Sequence, residues 1–575
     1  MLFRESVRTI AARALDSSLY LHLTEQFVHM HGHRPSVAES RSWERSIPAL
    51  AVVLNDAGLG EVEMMLEYAL PLNSKRADVV LAGTHPVSGE PSYVVVELKQ
   101  WSQAEPEEDD PVLCRIDAYT HPVLNPIEQV RRYCEYLVSF NGAVAEAPGA
   151  RAADELLAGK TVPSKQLMSV AAQEVREREQ FVLLDEQQVA YRMVLNAVRK
   201  AKQSDHKEVV VVTGGPGTGK SVIALSLLGE LYRQGVPALH ATGSQSFTKT
   251  MRKVAGARRR EVQDLFKYFN SFMTAEKNSL DVLICDEAHR IRKSSALRFT
   301  PAAHRTGKRQ IDELIDVARV PVFLLDEHQV VRPGEMGTVE DIKAAAAAKG
   351  LECHVVPLES QFRCGGSDAY LRWVVRLLGL EAGGPVVWEP DDRMQLLVAE
   401  SPEEMEEFLQ ARRAQGYGAR MSAGYCWPWS PGPRPGDPLP ADVVIGDWAR
   451  PWNLRGERSV SGAPPSALWA TDPAGFGQVG CVYTAQGFEY DWSGVIIGPD
   501  LVWRGDRWIT DRTQSKDAVF TKSTSDTDVD RLIRNTYKVL LTRGMIGTIV
   551  YSTDPETRDR LRELTSGSTR ESAPA

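Results

Sequence analysis

The stretch GGPGTGKS, residues 214–221, decides the fold that this sequence predicts. An apolar segment at residues 209–212 precedes it, and the helix-like VIALSLLGELY follows it directly. This is the pattern G-x-x-x-x-G-K-[ST] in the strand, loop and helix context of a phosphate-binding loop. Glycines let backbone N–H groups surround a phosphate chain because no side chains block the approach. The stretch therefore predicts a nucleoside triphosphate site.

Within this loop, Lys220 is expected to reach the β- and γ-phosphates, and Ser221 to ligate Mg²⁺. Downstream, LDVLICDEAHR predicts a buried strand that ends in Asp286 and Glu287. Cleavage of a γ-phosphate needs a metal ion and a positioned base, so Asp286 is expected to hold Mg²⁺ and Glu287 to polarise the attacking water. The predicted cofactor-binding residues of the loop are Gly214, Gly215, Pro216, Gly217, Thr218, Gly219, Lys220 and Ser221.

Composition sets broad bounds on the molecule. A length of 575 residues predicts two to four domains. The net charge of −9 argues against a wholly basic nucleic-acid coat, although it permits a local basic channel. Seven scattered cysteines, none spaced C-x-x-C, indicate reduced cytosolic thiols rather than a zinc framework. No apolar run approaches a membrane span and no signal peptide is evident, so we expect a cytoplasmic protein.

Two apolar segments near the start of the chain, RADVVLAG and SYVVVELKQW, predict strands joined by a hairpin. Glu97 and Lys99 are two residues apart on the second strand, so their side chains leave the same face. Asp78, on the first strand, would lie beside them if the strands pair. Two converging carboxylates can bind Mg²⁺ or Mn²⁺, and a lysine can stabilise charge on a phosphate. This set predicts a phosphodiesterase site; the alternative is a strand that ends in exposed Glu and Lys.

Asp, a hairpin and Glu-x-Lys resemble the core of the PD-(D/E)XK nucleases. Gln129 and Tyr133 share one face of a predicted helix and resemble the Gln-x-x-x-Tyr element of the RecB-like branch, which implies contact with nucleic acid. The resemblance also implies a metal-binding carboxylate on a helix ahead of the first strand. Glu44 is expected in that role, with Glu39 and Glu67 as competitors. A nuclease fold that binds without cutting remains an open alternative.

Further signals suit a second lobe that closes on the nucleotide. VPVFLLDEHQ predicts a strand with Gln329 at its end, where it would sense the γ-phosphate. Arg363, in QFRCGG, and Arg543, in LLTRGM, would neutralise charge in the transition state and couple hydrolysis to lobe closure. For each arginine alone, a surface salt bridge is the alternative.

The ordered set of motifs resembles superfamily I helicases, and within them the Schlafen-type ATPases. Gln187 stands where superfamily I helicases carry an adenine-reading glutamine. Thr484, Gln486, Gly487 and Glu489 resemble the motif that touches the nucleotide sugar and the nucleic-acid backbone, which implies a cofactor contact for the last two. Superfamily II is disfavoured despite the literal DEAH, because its paired-arginine motif is absent.

A basic strip is the predicted nucleic-acid surface of the motor. ATGSQSFTKTMRK, residues 241–253, follows a predicted strand, and Phe247 is expected to stack on a base. A solvated helix face is the alternative. The residues expected to hold phosphates are Ser244, Thr248, Lys249 and Arg252, extended by Arg258, Arg259 and Arg260.

Together these signals predict an α/β chain with two RecA-like parallel-sheet lobes preceded by a PD-(D/E)XK nuclease-like α/β domain. The predicted boundaries are 1–165 for the front domain with a helical connector to about 180, 181–350 and 351–565 for the lobes, about 427–475 for an insertion, and 566–575 for a disordered tail.

The predicted function is an NTP-dependent nucleic-acid motor, using ATP or another NTP and acting on DNA more than RNA, fused to a Mg²⁺- or Mn²⁺-dependent nuclease. The resemblance implies a role in anti-phage defence, and DNA repair is equally compatible. Compatible partners are a second copy of the chain or another defence protein. The alternatives are a motor whose front domain does not cut, and a nucleotide-gated switch that does not translocate.

Overall fold

The computed structural model describes most of the chain. The described residues are 1–14, 18–31, 34–71, 73–85, 89–101, 103–107, 110–116, 122–140, 181–204, 206–215, 217–255, 259–296, 300–301, 305–326, 337–359, 364–391, 393–431, 433–434, 436–456, 458–486, 488–518, 520 and 524–565. The predicted connector at 165–180 and the predicted tail at 566–575 lie outside them. Two units divide the chain: Met1–Pro163 with Val182–Val189, and Ser164–Phe181 with Ala190–Ala575.

The first unit is built on an antiparallel sheet of four strands in the order β1-β2-β3-β4. These strands are β1 Phe3–Ser6, β2 Glu63–Ala69, β3 Arg76–Thr84 and β4 Pro91–Val96. A smaller sheet contains β5 Glu105–Glu107, β6 Asp110–Arg115 and β7 Val123–Leu124. The helices are α1 Val7–Ala14, α2 Ser18–His31, α3 Val37–Arg41, α4 Ile47–Asp56 and α5 Pro126–Phe140, with a short helical segment Ser42–Ser46 before α4.

The hairpin predicted from the apolar pattern is confirmed. Strands β3 and β4 pair antiparallel, with Val79 opposite Val96. Alternate residues of β2 and β3, including Met64, Leu66 and Val79, form a core with Ile10 and other side chains of the helices. Continuing this register by one residue places Asp78 opposite Glu97 at the end of the strand pair.

The second unit begins with a parallel sheet of six strands in the order β10-β9-β11-β12-β8-β13. Its strands are β8 Glu208–Gly214, β9 Ala238–Thr242, β10 Phe266–Tyr268, β11 Leu280–Asp286, β12 Ala318–Leu325 and β13 Glu352–Leu358. Its helices are α6 Asp185–Gln203, α7 Lys220–Arg233, α8 Gln245–Val254, α9 Arg260–Gln263, α10 Gln310–Val317 and α11 Val339–Ala347. Parallel strands are covered on both faces, which explains the continuous apolar runs of β8, β11 and β12.

Two predicted boundaries need correction. The boundary at residue 350 falls one strand too early, because β13 pairs with β8 in the sheet of the first lobe. The boundary near 181 also shifts, because residues 182–189, which include the first residues of α6, belong to the first unit. Both errors arise from pairing and packing between distant segments, which local patterns do not reveal.

The second lobe contains a parallel sheet of five strands in the order β14-β22-β19-β15-β18. Two hairpins, β16–β17 and β20–β21, extend this lobe. The strands are β14 Gln395–Val398, β15 Ala419–Ala423, β16 Val443–Ile445, β17 Trp448–Arg450, β18 Val479–Gly480, β19 Tyr490–Ile497, β20 Leu501–Arg504, β21 Arg507–Thr510 and β22 Gly544–Ser552. The helices are α12 Asp368–Leu377, α13 Pro402–Ala414, α14 Val482–Ala485, α15 Asp526–Leu541 and α16 Pro555–Thr565.

The predicted fold class, α/β with two parallel-sheet lobes, is confirmed. In the second lobe, the hairpin β16–β17 lies between β15 and β18 in sequence, within the predicted insertion. Among the described residues, every helix is too short or too polar to span a bilayer.

Candidate nucleotide site and carboxylate cluster

The predicted phosphate loop runs from the end of β8 to the start of α7. Gly217 and Gly219 have φ values of 83° and 84°, in the left-handed region that residues with a side chain rarely adopt. A Cβ atom on Gly214 would collide with the side chain of Thr218. Glycine is therefore required at these three positions for the chain to turn tightly from the strand into the helix. Pro216 lies outside the described residues.

The cation and the hydroxyl of the loop converge with the first acidic residue of β11. Lys220 Nζ donates to the carbonyls of Gly214 at 2.8 Å and Gly215 at 2.7 Å, which folds the side chain back over the loop. Ser221 Oγ donates to Asp286 Oδ2 at 2.8 Å. The structure thus brings together Lys220, Ser221 and Asp286 as the sequence predicted. Ser221 and Asp286 are the pair of oxygen donors that would hold a magnesium ion.

Glu287 follows directly and is held by positive groups. Its φ of 54° turns the chain sharply after β11. His289 Nε2 lies 3.1 Å and Arg290 Nε 3.7 Å from Glu287 Oε2. Burial would raise the pKa of Glu287, but His289, Arg290 and Lys220 together hold that pKa well below its ordinary value. The carboxylate is therefore ionised and positioned by neighbours that are themselves nearly buried.

Two histidines in this site were missed by sequence reasoning. His289 is 1% exposed beside Glu287, and its signal was the fourth letter of DEAH, which we used only to weigh helicase superfamilies. His240, at 0% exposure on β9, has Nε2 3.5 Å from Asp286 Oδ2. Its ring nitrogens have no hydrogen-bond partner among the described residues. Only the pairing of β9 with β11 brings it to Asp286, so the sequence carried no local signal.

The residues expected to close the site from the second lobe are only partly visible. Gln329, Arg363 and Gly487 lie outside the described residues. Arg543 is fully buried, and its guanidinium donates to the carbonyls of Val539 at 2.8 Å and Phe488 at 3.3 Å. The prediction that Arg543 reaches the phosphates therefore needs correction: these bonds hold it inside the second lobe.

The other predicted nucleotide contacts have local roles as well. Gln187 is 2% exposed, and its side-chain Oε1 accepts from the backbone N–H of Leu184 at 3.1 Å, which stabilises the start of α6. Glu489 is half-buried just before β19. Nearby, Gln486 is 1% exposed, and both ends of its amide lack a hydrogen-bond partner within the described part of the chain. A buried amide in this state is costly unless a ligand or another group satisfies it.

The predicted nucleic-acid strip is mostly interior. Phe247 is 2% exposed and its ring stacks on His240 at 5.5 Å, so the expected base-stacking role needs correction. Ser244 caps α8 by accepting from the N–H of Phe247, and Thr248 is 1% exposed. Positions 244, 247, 248 and 251 share one face of the helix, and that face packs on the sheet.

The basic residues of the same strip remain closer to solvent. Lys249 is half-buried, and Arg252 donates to the carbonyl of Phe266 at 2.6 Å while lying over the ring of Tyr268. Arg259 and Arg260 are exposed, whereas Arg258 lies outside the described residues. Long basic side chains reach solvent past a buried stem, which is why the strip keeps its charge although its smaller members are buried.

In the first unit, Asp78, Glu97 and Lys99 converge at the open end of the β3–β4 pair. Asp78 Oδ2 accepts from the N–H of Leu98 at 2.6 Å. Lys99 Nζ lies 2.7 Å from Glu97 Oε1, and the Glu97 side chain is only 6% exposed. Burial and the charge of Asp78 raise the pKa of Glu97 to about 7, although Lys99 opposes this. Burial also raises the pKa of Asp78.

Helix α5 and the start of α6 complete this cluster. Gln129 Nε2 donates to Tyr133 Oη at 3.1 Å, and Tyr133 Oη donates to Asp185 Oδ2 at 2.9 Å. Burial, Asp185 and Glu97 raise the pKa of Tyr133, which indicates that its hydroxyl faces both carboxylates. The structure therefore places Gln129 and Tyr133, which share one helix face, beside the carboxylates. Asp185 is a member of this cluster that sequence reasoning did not place there.

Two carboxylate oxygens of this cluster are unsatisfied. Glu97 Oε2 and Asp185 Oδ1 are buried and lack a hydrogen-bond partner among the described residues. Lys75 Nζ lies 3.5 Å from Asp185 Oδ2, but it pairs more closely with Glu186, at 2.6 Å. Orphaned carboxylate oxygens that repel each other fit a divalent cation, because hard cations prefer oxygen ligands. Asp78 and Glu97 are the residues that would hold it.

The structure corrects the choice of Glu44 as the helix carboxylate. Glu44 is exposed on the segment Ser42–Ser46, where its neighbour Trp43 takes the buried position. Glu67 instead is 6% exposed, and its carboxylate accepts a hydrogen bond from Trp43 Nε1 at 2.8 Å. Burial, and to a smaller extent the charge of Asp78, raise the pKa of Glu67. Glu39 pairs with Arg76 on the same side. The two competitors, rather than Glu44, are the carboxylates that act on Asp78 electrostatically.

Comparisons with known proteins show what this chain is similar to. YPL245W of Saccharomyces cerevisiae, an uncharacterized protein, is 26% identical over 443 residues, which cover 68% of this chain and 93% of the yeast protein. The crystal structure of Pif1 helicase from Candida albicans matches with 11% identity and a TM-score of 0.30, covering 67% of this chain and 100% of that one.

The AMPPCP-bound structure of DnaA from Aquifex aeolicus matches with 13% identity and a TM-score of 0.19, covering 35% of this chain. The chain spans about half of that DnaA chain, 55%. These TM-scores are too low to establish a shared fold. The model of the Schlafen group 3 DNA/RNA helicase domain, however, matches residues 207–554, more than half of the chain, and makes this region a helicase-type ATPase. The chain therefore belongs to the Schlafen group 3 DNA/RNA helicase-domain family.

Proposed function

We propose that this protein is an NTP-driven motor that moves on nucleic acid and carries, in its first unit, a metal-dependent nuclease. The observation that supports the nuclease half is the buried cluster of Asp78 and Glu97 with Lys99 beside them. One oxygen of Glu97 has no hydrogen-bond partner among the described residues. The motor half follows from the helicase-type ATPase region and the geometry of Lys220, Ser221, Asp286 and Glu287.

In the motor, each side chain has a distinct task. Lys220 exchanges its two loop carbonyls for phosphate oxygens when a nucleotide enters, since the same loop lines the phosphate path. Ser221 and Asp286 would hold Mg²⁺, which neutralises phosphate charge when bound. Glu287 accepts a proton from the attacking water, and His289 keeps its carboxylate in position.

A charged contact between the lobes supports coupling of hydrolysis to movement. Lys538, on α15 of the second lobe, is buried enough to lower its pKa, and the charge of Asp326 opposes this shift. Asp326 directly follows β12 of the first lobe and is 2% exposed. Strand β12 neighbours β11, which carries Asp286, so we propose that a change at the nucleotide is felt by Asp326 and Lys538 through these adjacent strands. We expect the contact to bias lobe closure.

In the nuclease, the first-unit residues orient a phosphodiester and its attacking water. Asp78 is held by the N–H of Leu98, and Glu97 by Lys99, so both carboxylates keep a fixed direction. A bound Mg²⁺ or Mn²⁺ would polarise the scissile phosphate. Lys99 stabilises charge that develops on the phosphate oxygens, and Gln129 and Tyr133 line the approach from α5.

The substrate that we propose is DNA in preference to RNA. The exposed Arg259 and Arg260, with Lys249, supply phosphate contacts in the motor. The unsatisfied amide of Gln486 is a further group suited to a nucleotide or nucleic-acid partner. Cutting coupled to an NTP-driven motor would suit anti-phage defence or DNA repair. The test below does not depend on which of these two roles applies.

The test measures NTP turnover and strand cleavage in the same reactions, with single-stranded DNA, duplex DNA and RNA, in Mg²⁺ and Mn²⁺. We expect DNA to stimulate turnover and cleavage products to accumulate. Asp78→Asn and Glu97→Gln should abolish cleavage and retain stimulated turnover, whereas Glu105→Gln, an exposed acid of the same unit, should change neither.

The possible results separate the rival functions. Cleavage that survives both substitutions would reject the nuclease site. Stimulated turnover without any cleavage by the unmodified protein would leave a motor with a front domain that only binds. Turnover that no nucleic acid changes would reject the motor and favour a nucleotide-gated switch.

A further inference from the structure

A second cluster of metal-ligating side chains lies on the first parallel sheet, away from the phosphate loop. Strand β8 starts at Glu208, with His206 two residues before it, and β13 starts at Glu352, with His354 two residues after it. The two segments read His-x-Glu and Glu-x-His. Since side chains two residues apart leave the same face of a strand, the four groups project to one side of the sheet.

The register of the sheet brings these groups together. Glu208 and Glu352 are direct partners on neighbouring parallel strands. One ligand atom from each of Glu208, Glu352 and His354 lies within 4.8 Å of the others. His354 Nε2 is 3.4 Å from Glu208 Oε2 and 3.5 Å from Glu352 Oε1, and His206 Nε2 is 2.9 Å from the same Glu208 oxygen.

These distances suit a tetrahedral metal ion. Zinc binds imidazole nitrogen and carboxylate oxygen at about 2.0–2.2 Å, which places neighbouring ligand atoms about 3.4 Å apart. The two His354 distances of 3.4 and 3.5 Å agree with that value. One imidazole with two carboxylates forms a donor set that transition metals prefer over Mg²⁺ or Ca²⁺, because imidazole is a poor ligand for hard cations.

Electrostatics also favour a bound cation. Like charges directly opposite each other on a sheet are destabilising, and the carboxylates of Glu208 and Glu352 are such a pair. Glu208 has a side chain only 6% exposed, so water screens its charge poorly.

We propose that Glu208, Glu352 and His354 form a binding site for a divalent transition-metal ion, with zinc as the best chemical match, and that His206 positions Glu208 through its contact with the Glu208 carboxylate. The ion would fasten β13, the edge strand of the sheet, to β8. The phosphate loop leaves the other end of β8, about 20 Å away for six residues at about 3.3 Å each. The site is therefore separate from the nucleotide, and its role is to hold the last strand before the chain enters the second lobe.

The test is a Co²⁺ titration of the chelator-treated full-length protein, followed by visible absorption. Tetrahedral Co²⁺ with nitrogen ligands absorbs far more strongly than Co²⁺ held by oxygen ligands at the nucleotide or carboxylate sites. We expect one equivalent of intense absorption, displaced by Zn²⁺. His354→Ala should lose it, His206→Ala should bind Co²⁺ more weakly, and His29→Ala, an exposed histidine of α2, should keep it unchanged.

Two further variants keep the test decisive if an alanine variant folds poorly. Glu352→Gln alters a side chain that is 65% exposed, so the fold should tolerate it. Loss of a residue that only supports a metal ligand lowers metal affinity about 10–100-fold, and loss of the Glu352 carboxylate should lower it at least as much. His354→Cys retains a ligand and should restore the equivalent with a thiolate-to-cobalt charge-transfer band.

Thermal unfolding gives an independent readout. Zn²⁺ at about 100-fold above its Kd should raise the midpoint of the unmodified protein by a few degrees and leave His354→Ala unchanged. Absence of the intense absorption in the unmodified protein, or its persistence at one equivalent in His354→Ala, would overturn the proposal and leave only an ion-pair network.

Discussion

Glu287 in the second unit and Glu97 in the first both follow directly after a β-strand, yet their surroundings are opposite. Glu287 lies against His289 and Arg290, which hold its pKa well below the ordinary range. Glu97 is buried against another acid, Asp78, and burial and this charge raise its pKa to about 7 although Lys99 opposes the shift. The two glutamates have the same chemistry, and their neighbours give them different electrostatic states.

This difference indicates how each site is prepared. Neighbouring groups lower the pKa of Glu287, so this carboxylate is ionised before any ligand binds. In the first-unit cluster, burial and the charge of Asp78 outweigh Lys99, and one oxygen of Glu97 lacks a hydrogen-bond partner among the described residues. Substitutions at either site can test this contrast.

The largest effect is expected from Glu287→Gln. The substitution keeps the shape of the side chain and removes the base, so NTP turnover should fall by about 10²–10⁴-fold. Nucleotide binding should persist, because Lys220 and the loop are unchanged. Turnover and binding of a fluorescent nucleotide are measured together, with Glu340→Gln, an exposed acid on α11, as the control. Normal turnover would remove Glu287 from the mechanism.

The next effect concerns the stability of the first unit and its dependence on pH. The folded pKa of Glu97, about 7, lies above its ordinary value of 4.5, so the folded state binds the extra proton and loses stability as pH rises between these values. Above pH 7 the penalty is on the order of 3 kcal/mol. Glu97→Gln should therefore stabilise the unit at pH 8 and have little effect at pH 4.5.

Hydrogen exchange of β2–β4 peptides measures this change locally, without unfolding the second unit. The exposed Glu105→Gln should show equal protection at both pH values. A Glu97→Gln variant that exchanges faster than the unmodified protein at pH 8 would contradict the electrostatic account.

A divalent cation should produce a smaller effect of the same sign. Mn²⁺ binds ionised carboxylates, so it should slow exchange in β3 and β4 at pH 8 and have little effect at pH 5, where Glu97 is protonated. The comparison uses Asp78→Asn, which removes one ligand and should abolish the protection. Equal protection at both pH values would indicate that the cation binds elsewhere.

The smallest effect is expected at the contact between the lobes. Lys538→Met removes the charge that faces Asp326 and should lower the nucleic-acid-stimulated kcat by about fivefold, equivalent to about 1 kcal/mol. Nucleotide affinity should change less. Arg531→Gln, an exposed cation on the same helix, is the matched control. Equal kinetics for the two variants would show that this contact does not bias lobe closure.

Local patterns predicted much of the nucleotide site and the β3–β4 hairpin. The phosphate loop requires glycine at positions that only glycine tolerates, and a buried strand that ends in Asp286 and Glu287 is visible from its apolar run. Asp78, Glu97 and Lys99 were found together because a hairpin joins neighbouring segments, so its pairing follows from the sequence between them. Interactions over short sequence distances leave a readable pattern.

Residues placed by distant contacts were predicted poorly. The burial of Phe247, the outward direction of Glu44 and the internal bonds of Arg543 depend on what packs against each of them. Asp185 enters the first-unit cluster from more than fifty residues away from Tyr133. None of these positions differs locally from the alternatives that we weighed.

The amino-acid sequence by itself therefore determined the loop that binds phosphate, the strands that carry acids and the order of the lobes. Only the tertiary structure decided which acids are ionised, which basic residues face solvent, and that His354 meets Glu208 and Glu352. The physical reason is that backbone conformation responds to neighbouring residues, whereas burial and electrostatic environment are set by strands and helices that pair across long stretches of chain.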